Sequence, residues 1–450
     1  MEQSGSNVNP VALVFLLTMS LVILVSNRRN AVGALLVTAA FIPLGQQVSI
    51  LGLHFYFVRI LILAGLGRLL LRREGAAFKM LRIDKLFLGW VFSAVICGLL
   101  RGPKAELFGQ AYDAIGIYFL FRILMRDAEE VLSQLRLLAC IGVAVGVCMA
   151  WEWITHHNPF SILGGVQEFT QQREGRFRCE GPFRHPILAG TFGATLFPLL
   201  VGLWLQAGDS KRLALGGCLG CAITAIVAAS SGAVLTLIVA IIGFGLWPMR
   251  ERMRILRRGM VVGIIALALV MKAPVWYLIS RISDLVGGSG WHRSYLIDQF
   301  IGHFNEWWLI GTGYTAHWAP GGQVLTVDPN NMDITNHYVM QGLHGGILTL
   351  SLFVAVIVCG FKVIGQWARG PVPSALDPRL VWAFGVALAS HCAAFISISY
   401  FDQINVFWFW LLAAISVLSV PRSQVAPFEV LSGAASGLTA GRVESVPMFR

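Results

Sequence analysis

Two stretches of this chain carry residues able to act on a charged substrate. The first runs from Asp284 to Gly346 and includes WHRSYLIDQF, EWWLIGTGYTAHW and ITNHYVMQGLHGGI, with Arg293, Trp307, Trp308, Asn336, His337, Tyr338 and His344. The second, REGRFRCEGPFRHPILAG, sets Arg173, Arg176, Arg178 and Arg184 beside Glu180 and His185 and ends where an apolar run begins at Pro186. A guanidinium stays charged and grips anionic oxygens through paired N–H donors, so clustered arginines point to an anionic ligand. Histidine, with an unperturbed pKa of about 6.5, suits proton transfer near neutral pH. Ser230 and Ser231, followed by Gly232, place hydroxyls where a further apolar run starts, to cap a helix or touch a ligand.

These residues need a scaffold, and composition says which. A 450-residue chain that is 56% hydrophobic and 13% charged, with mean hydropathy +0.71, has more apolar surface than a soluble domain can hide. About thirteen stretches approach the roughly 17 to 25 apolar residues of a spanning helix. They lie near 11–27, 32–50, 55–71, 86–100, 112–126, 135–154, 186–206, 213–229, 231–249, 259–279, 345–364, 380–399 and 404–420. The expected fold is an all-α polytopic membrane bundle of about 12–13 transmembrane helices. In the long loop 280–344, Leu296, Phe300, Phe304 and Trp307 or Trp308 recur at helical spacing, which predicts an amphipathic helix on or beside the membrane surface. Three parts follow: N-terminal helices 1–154, a membrane domain 155–420 that includes the loop, and a flexible cytoplasmic tail 421–450.

Charge supplies the orientation. The net charge of +11 is spread over short loops, so it marks topology rather than nucleic-acid binding. Arg72, Arg73, Lys79, Arg82 and Lys85 label one cytoplasmic loop, Arg250, Arg252, Arg254, Arg257 and Arg258 another, and Lys362, Arg369 and Arg379 a third. Alternation then puts loop 155–185, the Ser230-Ser231 turn, loop 280–344 and the turn Ser399 to Gln403 on one external side. Arginines there run against the positive-inside tendency and favour a ligand, with snorkelling to lipid phosphates as the plainer alternative. No basic segment precedes the first apolar span, so no cleaved signal peptide is expected.

Other chemistry is not indicated. Of eight cysteines only Cys179 falls in an external loop, so no disulfide is expected, and Cys218-x-x-Cys221 among Gly216, Gly217 and Gly220 reads as a close-packing helix face. The spacing of His, Cys and carboxylates suggests no metal site, and no phosphate-binding or dinucleotide motif is present. No metal and no cofactor are expected.

Arg178, Gly181, Phe183 and Pro186 lead into a span, and a serine turn with a following glycine comes next. An Arg293-led loop helix, Gly311-x-Gly313 before Tyr314, and an Asn/His segment running into Gly346 complete a pattern over about residues 170–420. In this order the short motifs resemble the bacterial O-antigen ligase and O-antigen polymerase superfamily. The resemblance implies a metal-independent membrane glycosyltransferase of the bacterial inner membrane with a periplasmic site. Its donor would be an undecaprenyl-diphosphate-linked oligosaccharide. Its acceptor would be another lipid-linked repeat unit (polymerase) or lipid A core (ligase), and a chain-length regulator is a possible partner.

On that basis Arg178 and Arg293 are expected to hold the diphosphate, with Arg176 and Arg184 in support, and His337 to take the acceptor proton. His185, His344 and Glu180 are alternatives to His337, and Ser230, Ser231, Asn336 and Tyr338 are expected to line the substrate. Two departures from the family pattern matter. With Gly346 as anchor, Thr335 and Asn336 stand where members carry His-Asn, and His344 stands where they carry an acid. Ser230-Ser231-Gly232 lacks the arginine common in ligases, which favours a polymerase. A transporter or lipid flippase is the rival class, suggested by Arg59, Arg68, Arg122, Glu152, Lys272 and His391 in or near spans.

Overall fold

The computed structural model describes residues 8–43, 46–50, 53–76, 78–102, 104–173, 175–206, 208, 210–285, 290–320, 330–367 and 376–419. The tail 421–450 lies outside them. The described residues are 77% helix and 2% strand, which places the protein in the all-α class. Its helices are α1 (Pro10–Val25), α2 (Arg28–Phe41), α3 (Phe57–Arg72), α4 (Arg82–Arg101), α5 (Ala105–Leu124), α6 (Ala128–Thr155), α7 (Pro186–Leu205) and α8 (Lys211–Val227). They continue with α9 (Ser231–Gly245), α10 (Met253–Val270), α11 (Tyr277–Leu285), α12 (Trp291–Gly302), α13 (Phe304–Trp307), α14 (His337–Trp367), α15 (Pro378–Ala394) and α16 (Gln403–Leu418). Two antiparallel hairpins interrupt them: β1 (Gln47–Ile50) with β2 (Leu53–Tyr56), and β3 (Gln171–Arg173) with β4 (Arg176–Arg178).

Every apolar stretch expected to span falls on a helix, though several helices end short of the expected bounds. The 32–50 stretch leaves helix at Phe41 and continues as β1, and the 259–279 stretch stops at Val270. Five described helices, α4, α5, α6, α7 and α14, are long and apolar enough to cross a membrane, and α9 with α10, bent by 77° at a 3₁₀ turn, make a sixth if they form one span. The rest fall short for a geometric reason. At a rise of 1.5 Å per residue, helices of 14 to 17 residues such as α2 and α15 cover about 21 to 26 Å of a core of about 30 Å. These helices make the chain a multi-pass membrane protein by length and composition.

Close packing follows from small residues. A Cβ on Gly146 of α6 would lie 2.3 Å from Gly220 Cα of α8, and one on Gly220 would lie 2.1 Å from Gly142 O. The glycine face around Cys218 and Cys221 is therefore what lets α6 and α8 touch backbone to backbone. α16 is buried along almost its whole length and forms the centre of the core, beside α7.

Two buried arginines of the helical core are paired. Arg68 on α3, 1% exposed, is bound by Glu74 (2.8 Å) and donates to the carbonyls of Ile23 and Ser26 at the end of α1 (2.7 and 2.8 Å). Arg122 pairs with Asp84 at 3.3 Å, and Tyr118 and Ser416 hydroxyls donate to the same carboxylate. Removing one member of such a set leaves an uncompensated charge, which costs far more than the pair contributes.

The loop between α10 and α14 has its own small core of Leu296, Trp307, Trp318, Met332, Ile334, Val339 and Leu343. The predicted amphipathic stripe is divided: the helix breaks at His303, Leu296 and Trp307 turn inward, and Phe304 and Trp308 stay exposed. Trp307 stacks on Phe300 at 3.8 Å and donates its indole N–H to Phe300 O. It is thus a core residue and not part of an interfacial aromatic belt.

This loop docks into a break in α14. Gly345 (φ −165°, ψ 31°) and Gly346 (φ 69°, ψ −164°) leave helical geometry, and Gly346 occupies a region open essentially to glycine alone. The opened backbone is satisfied from outside the helix. Ile347 N–H donates to Trp308 O (2.8 Å), Thr312 N–H to Leu343 O (3.1 Å), and Arg101 Nη2 to His344 O (2.7 Å).

Candidate functional site

A cavity of about 1600 Å³ opens among the segments that the sequence assigns to one side. Loop 155–185, the Ser230-Ser231 turn, the long loop and the 397–401 turn all contribute to its wall. Among the described residues, six basic side chains, Arg101, Lys104, Arg173, Arg176, Arg178 and Arg293, face two acidic ones, Glu106 and Asp333. The lining is therefore suited to a polyanion.

Strand register explains why three of the arginines act together. Gln171 pairs with Arg178 and Arg173 with Arg176, so side-chain alternation puts Arg173, Arg176 and Arg178 on one face of the hairpin. Phe177 takes the other face and stacks on His156 at 3.7 Å. The hairpin is anchored at its base by Glu152, whose carboxylate accepts the Glu180 and Gly181 backbone N–H groups (3.1 and 2.8 Å) and the Thr170 hydroxyl. Gly181, at φ 54°, lets the chain turn there.

Arg293 is the most deeply placed cationic group in the wall, 9% exposed on the first turn of α12. Its Nη1 donates to Ser283 Oγ (3.0 Å) and both Nη atoms approach Ser231 Oγ (3.4 Å). Gly232 is what admits this arrangement, since a Cβ there would meet Ser397 at 2.6 Å and Arg293 Nη2 at 3.5 Å. Among the described residues no carboxylate lies within ion-pair distance of Arg293. Burial alone pushes its pKa below the usual arginine value. A buried guanidinium held by hydroxyls and facing a cavity is a site with a charge still to be matched.

The other expected site residues divide. His185 and His344 line the cavity, whereas Arg184, Glu180, Asn336, His337 and Tyr338 do not. Arg184 reaches Asp402 at 3.2 Å. Asn336 caps α14, its Oδ1 accepting the Tyr338 and Val339 N–H groups, and Tyr338 donates its hydroxyl to Cys392 O. His337 is buried, with Nδ1 accepting Tyr400 N–H (3.1 Å), Nε2 against Gln341 Nε2 (3.2 Å), and its ring stacked on Phe395. Both ring nitrogens are engaged inside the protein, so the geometry gives His337 a structural place and leaves His344 as the histidine of that segment at the cavity.

His185 caps α7 by accepting Ile187 N–H on Nδ1 (3.1 Å), which makes its neutral form an Nε2–H donor. Burial first, then Arg178 and Arg173, lower its pKa from 6.5 to about 4. Glu180 moves the other way: burial, against the Gln167 N–H and with Glu152 adding repulsion, raises it from 4.5 to about 7.

The two shifts bear on stability with opposite sign. A raised carboxyl pKa gives Glu180 a contribution that is complete below 4.5 and lost as pH rises through about 7, a span of about 3 kcal/mol. A lowered imidazole pKa gives His185 a contribution present above 6.5 and lost as pH falls through about 4, and smaller because the ring is only half-buried. Between about pH 5 and 7 the two contributions thus run in opposite directions, the Glu180 one being the larger. Glu180→Gln should leave the His185 slope alone and melt higher as pH rises over that range; parallel curves for the two proteins would refute the assignment.

Two basic residues at the site were not singled out in the sequence. Arg101 and Lys104 come from the α4–α5 junction, and their signal was available, since alternation of spans puts 101–111 on the same side as the other four segments. The buried charges that suggested a transport path have other duties. Arg59 forms a two-point ion pair with Asp113, Arg68 and Arg122 are paired as above, Glu152 accepts the hairpin's backbone N–H groups, and His391 Nδ1 meets the Tyr400 hydroxyl at 2.7 Å. None of these five lines the cavity, and Lys272 is exposed. Comparison of the chain with protein-family models returns no match, and comparison with curated protein sequences returns none either.

Proposed function

We propose that the protein is a metal-independent membrane glycosyltransferase that uses a polyprenyl-diphosphate-linked glycan at the periplasmic face of a bacterial inner membrane, acting as a polymerase of repeat units. The observation that carries this is Arg293, a buried guanidinium with hydroxyl partners only, facing a cavity that five further basic side chains share. The cavity is large enough for a diphosphate and several sugar rings, and its charge fits the diphosphate. In this reading the shorter apolar helices also cross the bilayer, giving about 12–13 spans with local thinning or tilt.

The chemistry asks little of the protein beyond charge and position. The acceptor hydroxyl oxygen attacks the anomeric carbon, and the bond from that carbon to the diphosphate oxygen breaks with its electron pair on the diphosphate. Arg293 and Arg178 stabilise the charge that develops there, and His344 takes the acceptor proton. His344 stands two residues before Gly346, where the resembling family carries its acid, and it lines the cavity that His337 does not reach.

Reconstitution tests this directly. Protein in nanodiscs, given an undecaprenyl-diphosphate-linked oligosaccharide in the presence of EDTA, should release undecaprenyl diphosphate and build longer carrier-linked glycans. Transfer only on addition of lipid A core would identify a ligase, and movement of the intact lipid between leaflets without bond cleavage would identify a flippase. Either result would overturn the polymerase assignment.

A further inference from the structure

We propose that His303, Glu306 and His317 form a binding site for a divalent transition-metal ion of the zinc type, which fastens the outer wall of the cavity. His303 follows α12, Glu306 lies three residues on in α13, and His317 comes back from the 3₁₀ turn Ala316–Trp318. One ligand atom from each lies within 4.8 Å of the other two. Two imidazoles and a carboxylate are a donor set that zinc accepts, with the remaining position open to water. The sequence hides this group because nothing in its spacing says that the chain folds back at His317.

The surroundings are those of metal ligands. His303 donates Nδ1–H to Gln299 O at 2.9 Å, which fixes the tautomer and leaves the Nε2 lone pair for an ion. Trp318 donates its indole N–H to Glu306 Oε2 at 3.2 Å. His303 stacks on Trp318 (5.2 Å, 22°) and His317 on Tyr314 (5.3 Å, 14°), so both imidazole planes are held. His317 Nε2 lies 2.9 Å from Glu306 Oε2 and 3.1 Å from Oε1. Without a metal that nitrogen's N–H donates a hydrogen bond to the carboxylate; with an ion in its place the ring would carry its proton on Nδ1 and offer the Nε2 lone pair.

The consequence lies in the chain between the ligands. Gly311, Thr312, Gly313 and Tyr314 line the cavity, and all four lie between Glu306 and His317. The three ligands do not line it. An ion there would close this segment into a fixed loop without touching a substrate, so its role would be structural.

Zinc titration of tag-free protein in nanodiscs, by calorimetry and metal analysis, tests the site. We expect one Zn²⁺ per chain, no comparable binding of Mg²⁺, and a loss of about 100-fold in affinity in the His303→Ala/His317→Ala double variant. Zinc should also slow chymotryptic cleavage at Tyr314 in the wild type and not in the double variant. Glu306→Gln keeps an acceptor for Trp318 and serves if the double variant does not fold. Equal zinc binding by wild type and variants, or no protection of Tyr314 in the wild type, would show a plain histidine–glutamate hydrogen-bond cluster and overturn the proposal.

Discussion

Arg293→Ala is expected to lower glycan transfer by about 10³-fold while leaving the protein folded, the size of loss seen when one preorganised charge-stabilising donor is removed. The reason is geometric. Arg293 has no carboxylate partner among the described residues, so its removal breaks two serine hydrogen bonds and no ion pair. Taking away a desolvated charge relieves the protein, and the melting temperature should stay level or rise. Arg293→Lys should recover only part of the activity, because an ammonium cannot bind two phosphate oxygens as a planar fork. In cells the variant should shorten the glycan ladder and accumulate carrier-linked single units. Unchanged chain length at normal expression would remove Arg293 from the site and with it the main support for the enzyme assignment.

Gly346→Ala is expected to be severely damaging. At φ 69° and ψ −164° an alanine costs about 1 to 3 kcal/mol in backbone strain alone. Its Cβ would also lie 2.5 Å from Leu309 O and 2.6 Å from Trp308 O, both backbone atoms that cannot rotate away. The loop must lift off α14, losing the Ile347-to-Trp308 hydrogen bond and disturbing the Gly311–Tyr314 wall. We expect a loss of about 3 kcal/mol or more, read as a lower melting temperature, together with loss of transfer. Gly259→Ala in α10 is the control: a Cβ there meets nothing within 4 Å, and helix propensity should make the change neutral or stabilising by up to about 1 kcal/mol. Equal melting of the two variants would mean that the break in α14 is not required.

The elements and the site were not equally legible in the sequence. Helix positions were, because a long apolar run between Arg-rich loops has few alternatives in lipid, and the shared side of four polar segments followed from counting alternations. The arginine hairpin was visible as Arg173, Arg176 and Arg178, although only the β3–β4 register shows why they face one way. His337 misled because residue type says nothing of direction: one position after its cap at Asn336, the ring turns into the Phe395 and Tyr400 packing. Trp307 misled in the same way, an interfacial residue by type and a core residue by position. Arg101 could not be weighted from its neighbours, because its guanidinium answers a carbonyl 243 residues away.

The Arg68–Glu74 pair bears on how the chain is made. Arg68 would be expensive to insert into a bilayer by itself, at about 2.5 to 3.5 kcal/mol on the insertion scale. Its counter-charge is encoded six residues later and arrives almost with it, so the two can leave the ribosome and partition as a neutral unit. The carbonyls of Ile23 and Ser26, at the end of α1, then wait for that unit to dock. One guanidinium thereby closes the end of the first helix from the third.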